Sequence, residues 1–77
     1  MYPTKTIKAG MTVQLPRQTI IRKLGDKKTA IALDNSIIVL VLTSDTKFKF
    51  WVDNEIYELY QPIQKALKSD DFKIIGG

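Results

Sequence analysis

The sequence predicts a mainly β protein, either a small antiparallel meander or a curled barrel of five to six strands, with one short C-terminal helix. Three observations predict this class. Short runs of β-branched and aromatic residues alternate with turn-forming residues along most of the chain. The dipeptide Asp-Asn occurs twice, at 34–35 and 53–54, each time between apolar runs. Residues 62–68 space their apolar residues as a helix does, after a proline that suits a first helical turn.

The N-terminal part is predicted to begin with two extended pieces, residues 4–8 and 12–15, joined by a turn at Ala9-Gly10. Pro16 ends the second piece, because proline has no N–H to donate to a sheet. Residues 19–24 fit either a short helix capped by Gly25 or a strand followed by a turn. Both alternatives stay open, since six residues are too few to separate the two periodicities.

The middle of the chain carries the clearest strand pattern. The segment TAIALDNSIIVLVLT, residues 29–43, predicts two strands around a two-residue turn, because Asp and Asn tolerate the left-handed backbone of tight hairpins. Every residue from 37 to 42 is apolar, which predicts a central strand covered on both faces. Barrel closure by the N-terminal strands, or a homodimer across the open face, would cover the face of this strand that the short helix cannot cover.

The segment KFKFWVDNEIYELYQP, residues 47–62, fits a helix or a hairpin. A helix would hold Pro62 in its interior at a cost of about 3 kcal/mol, whereas after a hairpin Pro62 falls in the first turn of the next helix. The hairpin is therefore predicted, with Lys47, Lys49 and Trp51 on the face opposite Phe48 and Phe50. Its expected cross-strand pairs are Val52 with Glu55, Trp51 with Ile56, Phe50 with Tyr57, Lys49 with Glu58 and Phe48 with Leu59.

The remaining residues complete a single small domain spanning 1–77. The helix predicted over 62–68 turns Ile63, Ala66 and Leu67 inward. Residues 69–71 end it, and FKII at 72–75 predicts a final edge strand.

Composition argues against several functional classes. The chain has no cysteine and no histidine, which removes disulfides, thiolate ligands and the commonest general base and metal ligand. No carboxylate pair, glycine-rich loop or metal-ligand spacing stands out. A non-enzymatic protein with no cofactor and no metal is expected. The longest apolar run is too short to cross a bilayer, so a cytoplasmic protein without a membrane partner is expected.

The charge distribution predicts an anionic partner. Residues 1–33 carry seven lysines and arginines against one aspartate, and residues 34–77 carry five lysines against seven carboxylates. A basic half of this kind suits nucleic acid, although a merely solvated surface explains it equally well. The candidate phosphate-binding residues in this half are Arg17, Arg22, Lys23, Lys27 and Lys28.

A second candidate surface is the lysine and tryptophan face of the predicted hairpin. Lys47, Lys49 and Trp51 share that face, which Tyr60 completes from the other strand. Lysines beside exposed rings hold single-stranded nucleic acid, with charge for phosphate and a ring for base stacking. The competing interpretation buries Trp51 in the core, as is usual for a lone tryptophan in a small domain.

Two further functions remain open. The first is a protein-interaction or assembly module, such as a regulator or virion adaptor, that uses an apolar face or edge. The second rests on the terminal KIIGG, which resembles the tails of ubiquitin-like modifiers and small sulfur carriers. KTIKAGMTVQL (5–15) resembles the opening hairpin of their β-grasp fold, and TIIRKLG (19–25) would be its helix. That resemblance implies that Gly77 supplies the carboxylate that is activated.

Overall fold

The computed structural model describes residues 7–25, 30–44 and 47–76. Within these ranges the chain forms one seven-stranded antiparallel sheet and one short helix, which confirms the mainly β class with more strands than predicted. The elements in chain order are β1 (Thr12–Leu15), β2 (Ile20–Lys23), β3 (Ala30–Ala32), β4 (Ile37–Thr43), β5 (Lys49–Val52), β6 (Glu55–Leu59), α1 (Ile63–Leu67) and β7 (Lys73–Gly76).

The sheet is strongly curled but open. Its strand order is β3-β2-β6-β5-β4-β1-β7, so three strands lie between β1 and β2. The connection from β1 to β2 is nevertheless only four residues long, 16–19. Four strand spacings of a flat sheet would amount to about 19 Å, more than so short a connection can span. Curling brings the two strands together, and the connection from β3 to β4 through residues 33–36 requires the same curl. β3 and β7 remain as edges.

The hydrophobic core fills the inside of this curl. Phe50 is its largest fully buried side chain, 1% exposed. The helix α1 adds Ile63, Ala66 and Leu67, so the predicted inward face of the helix is confirmed. The fully buried aliphatic side chains of the strands are Val13, Leu15, Ile21, Val39 and Val41.

The second Asp-Asn pair forms the predicted hairpin turn. Asp53 and Asn54 have φ values of 47° and 66°, and such a positive pair is typical of a type I′ turn. The predicted register is confirmed from Val52 with Glu55 to Lys49 with Glu58. It continues beyond the ladder, because the N–H of Leu59 donates to the carbonyl of Phe48 at 2.7 Å.

The first Asp-Asn pair is not a hairpin turn, so that prediction is wrong. β3 pairs with β2, whereas β4 pairs with β1 and β5. Neither Asp34 nor Asn35 has a positive φ. These residues instead cross from one edge of the sheet to its middle. The dipeptide tolerates a left-handed turn without requiring one, and strand pairing decided between the two outcomes.

The prediction that residues 37–42 are covered on both faces is also wrong for the single chain. β4 does lie inside the sheet, between β5 and β1, but only one of its faces meets the core. Ile38 is 60% exposed and Leu40 is 39% exposed on the other face. Barrel closure by the N-terminal strands, the first predicted source of cover, is wrong because the sheet formed by the described residues stays open. A homodimer that would cover this face stays a prediction.

The remaining N-terminal predictions have mixed outcomes. Residues 12–15 form β1, and Gly10, at φ 91°, lies in the predicted turn. Of the piece at 4–8, Ile7 and Lys8 are not in a strand, and residues 4–6 lie outside the described part.

Residues 20–23 form strand β2, so the helix that the β-grasp resemblance implies at 19–25 is wrong. At the other end, β7 confirms the predicted edge strand.

Candidate nucleic-acid interface

The outer face, meaning the sheet surface turned away from the core, presents Trp51. Successive side chains of a strand point to opposite faces. In β5 this alternation buries Phe50 and leaves Trp51 43% exposed, with Lys49 on the same side as Trp51. The alternative that placed Trp51 in the core is therefore wrong, and the ring is accessible from solvent.

An ion pair at the centre of the outer face joins β2 to β6. Lys49, Glu58 and Arg22 lie opposite one another on the adjacent strands β5, β6 and β2. Glu58 forms its salt bridge with Arg22 rather than with the predicted partner Lys49. The Nε of Arg22 donates to Oε1 of Glu58 at 3.0 Å, and Nη2 donates to the same oxygen.

The charges around Glu58 show that the basic residues of this face converge. The hydrogen bond from Arg22 holds the pKa of Glu58 below its usual value, against the opposing effect of partial burial. The charges of Lys47 and Lys49 lower this pKa further. Three cations therefore surround one ionised carboxylate, and the centre of the outer face carries a net positive charge.

Tyr60 provides a second exposed ring at the end of the same face. It is 49% exposed, and its N–H donates to the carbonyl of Ile20 at 2.8 Å. The guanidinium carbon of Arg22 lies 4.7 Å from the centre of the Tyr60 ring, within the range of a cation–π contact. Four residues along β6 and one strand spacing separate Tyr60 from Trp51, which places their Cα atoms about 14 Å apart.

An apolar row crosses the outer face beside these groups, and its Trp51–Ile56 pair belongs to the predicted hairpin register. Leu40 lies opposite Trp51, and Trp51 lies opposite Ile56. The row continues to Leu24, whose N–H donates to the carbonyl of Ile56 at 2.9 Å. The continuous apolar run at 37–42 concealed Leu40, because a pattern without polar residues cannot reveal which side faces outward.

Two of the other predicted phosphate-binding residues, Arg17 and Lys23, do not share the outer face. Arg17 lies in the connection between β1 and β2, and Gln18 beside it has a φ of 70°. Lys23 points to the opposite face from its neighbour Arg22 and pairs with Glu55 at 2.6 Å. This bond lowers the pKa of Glu55. Lys27 and Lys28 lie outside the described residues.

Other kinds of site receive no support from the described part of the chain. Its acidic residues form no group of three or more that could hold a metal ion. None of its helices is long and apolar enough to cross a membrane. Comparisons with protein-family models, with curated proteins and with solved structures return no significant match.

Proposed function

We propose that the protein binds single-stranded nucleic acid on the outer face of its sheet. The observation that carries the proposal is the grouping of Trp51, Tyr60, Lys47 and Lys49 on one surface. Exposed rings on a sheet supply stacking for bases, and lysines between them supply charge for the phosphates.

The exposed rings favour a single strand over a duplex. Stacking on Trp51 or Tyr60 requires a free base face, and bases in a duplex are stacked on one another. The Cα separation of about 14 Å is roughly four times the 3.4 Å spacing of stacked bases. Two rings so far apart suit an extended strand whose bases are splayed from each other.

The charge pattern supports contacts to the phosphate backbone that do not depend on sequence. Arg22 is engaged by Glu58 and Tyr60, so the charge available to a ligand comes mainly from Lys47 and Lys49. A lysine ammonium group is a mobile point charge. It lacks the fixed geometry of several donors with which arginine recognises the edge of a base. We therefore expect weak base preference and strong dependence on salt.

Tryptophan fluorescence tests the proposal directly, because Trp51 is the only tryptophan in the chain. A single-stranded oligonucleotide should quench its emission, and affinity should fall when the salt concentration is raised. Trp51→Ala, followed by anisotropy of a labelled oligonucleotide, should weaken binding roughly 5- to 150-fold. Trp51→Phe keeps a stacking ring and should retain most of the affinity.

Two controls make the result interpretable. Lys68→Gln removes one positive charge at the end of α1, away from the outer face, and should leave affinity nearly unchanged. A duplex of the same sequence should bind more weakly than the single strand. The proposal fails if binding is absent, or if it responds to neither salt nor Trp51→Ala in a variant shown by circular dichroism to be folded.

The apolar row supports a second candidate, a protein-interaction surface. Exposed apolar residues that adjoin one another mark protein contacts more often than scattered ones do. Leu40→Ser would weaken such a contact without changing the charge of the face. Solution mass measured by light scattering, with and without oligonucleotide, separates the candidates. A complex with a protein partner that survives nuclease treatment and is lost in Leu40→Ser favours this candidate.

A further inference from the structure

A pocket of about 200 Å³ lies outside the outer face, between the β1–β2 connection and α1. Arg17 and Lys65 both line it, one from each wall. Its other lining residues are Pro16, Gln18, Thr19, Gln61, Ala66 and Ser69. The walls are therefore largely polar, and the only charged groups among them are two cations.

The two cations have no acidic partner among the described residues. Both salt bridges observed there involve other side chains, Arg22 with Glu58 and Lys23 with Glu55. Asp34 lines a separate groove on the far side of Arg17 and Gln18, yet it makes no salt bridge with Arg17. The positive charge at the pocket is thus available to an anion from solvent.

The backbone of the wall is held firmly in an unusual conformation. Thr19 N–H donates to the carbonyl of Pro16 at 3.3 Å, and its buried hydroxyl donates to the same oxygen at 2.6 Å. Gln18 has a φ of 70°, a strained conformation for residues other than glycine that is concentrated at functional sites. The turn therefore presents Arg17 from a rigid support.

The opposite wall supplies a neutral hydrogen-bond donor. The side-chain oxygen of Gln61 accepts from Ile20 N–H at 3.1 Å, which orients the amide. With its oxygen engaged, Gln61 can offer its NH₂ group to a ligand. An arginine, a lysine and an amide NH₂ around one concavity form a donor set that suits a tetrahedral oxyanion.

We propose that this pocket binds a phosphate group. The guanidinium of Arg17 would take two of its oxygens, Lys65 would neutralise the remaining charge, and Gln61 would donate to a third oxygen. Two sources share this chemistry, a free phosphate or phosphate ester and a phosphate of a nucleic-acid backbone. The second source rests on the proposed function, whereas the first does not.

The position of the pocket makes a backbone phosphate reasonable. Gln61 follows Tyr60 in the chain, and Thr19 precedes Ile20, which is hydrogen-bonded to Tyr60. The pocket therefore begins one residue beyond the last ring of the outer face. A strand that stacks on Trp51 and Tyr60 and continues in the same direction would carry its next phosphates to this point.

Nuclear magnetic resonance with the whole chain provides the test. Inorganic phosphate is titrated at constant ionic strength, with chloride as the balancing anion, and backbone amide shifts are followed. Saturable shifts should centre on Arg17, Gln18 and Ser69. Arg17→Gln and Lys65→Gln should each weaken phosphate binding about tenfold or more, while Lys68→Gln should have no effect. Trp51→Ala should leave phosphate binding unchanged.

A second titration with single-stranded oligonucleotide identifies the source. If Arg17→Gln weakens both ligands, the pocket takes a backbone phosphate. If it weakens phosphate alone, the pocket takes a free phosphate or ester, and the proposal stands even when no oligonucleotide binds. Phosphate shifts that spread over all surface lysines, or that persist in the folded Arg17→Gln variant, overturn the proposal whatever the outer face binds.

Discussion

Arg22 on β2 and Glu58 on β6 face each other across the sheet, with two hydrogen bonds from the guanidinium to one carboxylate oxygen. The same guanidinium lies against the ring of Tyr60. Glu58 thereby balances the charge of Arg22 and fixes its direction. Arg22 is thus a positioning residue for Tyr60, and the uncompensated charge of the outer face belongs to Lys47 and Lys49.

Replacing Glu58 should lower the free energy of unfolding at neutral pH. It should also make that free energy less sensitive to a fall in pH. Glu58→Gln leaves Arg22 without a charged partner, and we expect a loss of about 1–3 kcal/mol at neutral pH. The pKa of Glu58 is lowered by folding, so its contribution is complete above the ordinary value of 4.5 and is lost as pH falls through the lower folded value. Urea denaturation at several pH values between neutrality and acid measures both effects.

Glu55→Gln is the matched control for that experiment. Glu55 also pairs with a cation, Lys23, but this pair is much more exposed than that of Glu58. Exposed ion pairs contribute little to stability, so this variant should lose less stability than Glu58→Gln. Equal losses in the two variants, or an unchanged acid slope in Glu58→Gln, would contradict the role assigned to the Arg22 pair.

The two Asp-Asn pairs should respond oppositely to glycine. Asn54 has a φ of 66°, where glycine is unstrained, and Asn54→Gly should stabilise the fold by about 0.5 kcal/mol. Asn35 has no positive φ, so Asn35→Gly should destabilise by about 0.4–1 kcal/mol through greater freedom of the unfolded chain. Thermal unfolding of both variants decides the matter. A gain in Asn35→Gly would be inconsistent with a crossing connection at that position.

The hairpin at 53–54 and the pairing of β2 with β6 show what the sequence could and could not predict. The hairpin at 53–54 is local, and its register brings Lys49, Trp51 and Glu58 together from neighbouring residues alone. The pairing of β2 with β6 joins residues far apart in the chain, and it alone adds Arg22 to the site. Local patterns carry no information about such pairing. For the same reason, an apolar run could not reveal that Leu40 faces outward.

Neighbouring aromatic residues on β5 should differ sharply in their effect on stability. Phe50 is fully buried, and Phe50→Ala should cost about 3–5 kcal/mol, a large share of the roughly 4–12 kcal/mol expected for a chain of this size. Trp51→Ala removes cross-strand contacts on an exposed face and should cost about 1 kcal/mol. Chemical denaturation measures both, and Phe50→Leu replaces Phe50→Ala if the latter does not fold. Comparable losses at the two positions would refute the assignment of faces.

The salt dependence of nucleic-acid affinity should show how many lysines of the outer face contact phosphates. For a single strand, the slope of log K against log salt is about −0.7 for each phosphate contacted. Lys47→Gln and Lys49→Gln should each reduce the steepness by about 0.7, and the double variant by about twice as much. Lys68→Gln should leave the slope unchanged, because Lys68 caps the C-terminal end of α1 and does not lie on the outer face. Oligonucleotide titrations at four or more salt concentrations measure these slopes. If the double variant keeps the slope of the unmodified protein, Lys47 and Lys49 do not contact the phosphates, and the role proposed for them on the outer face is wrong.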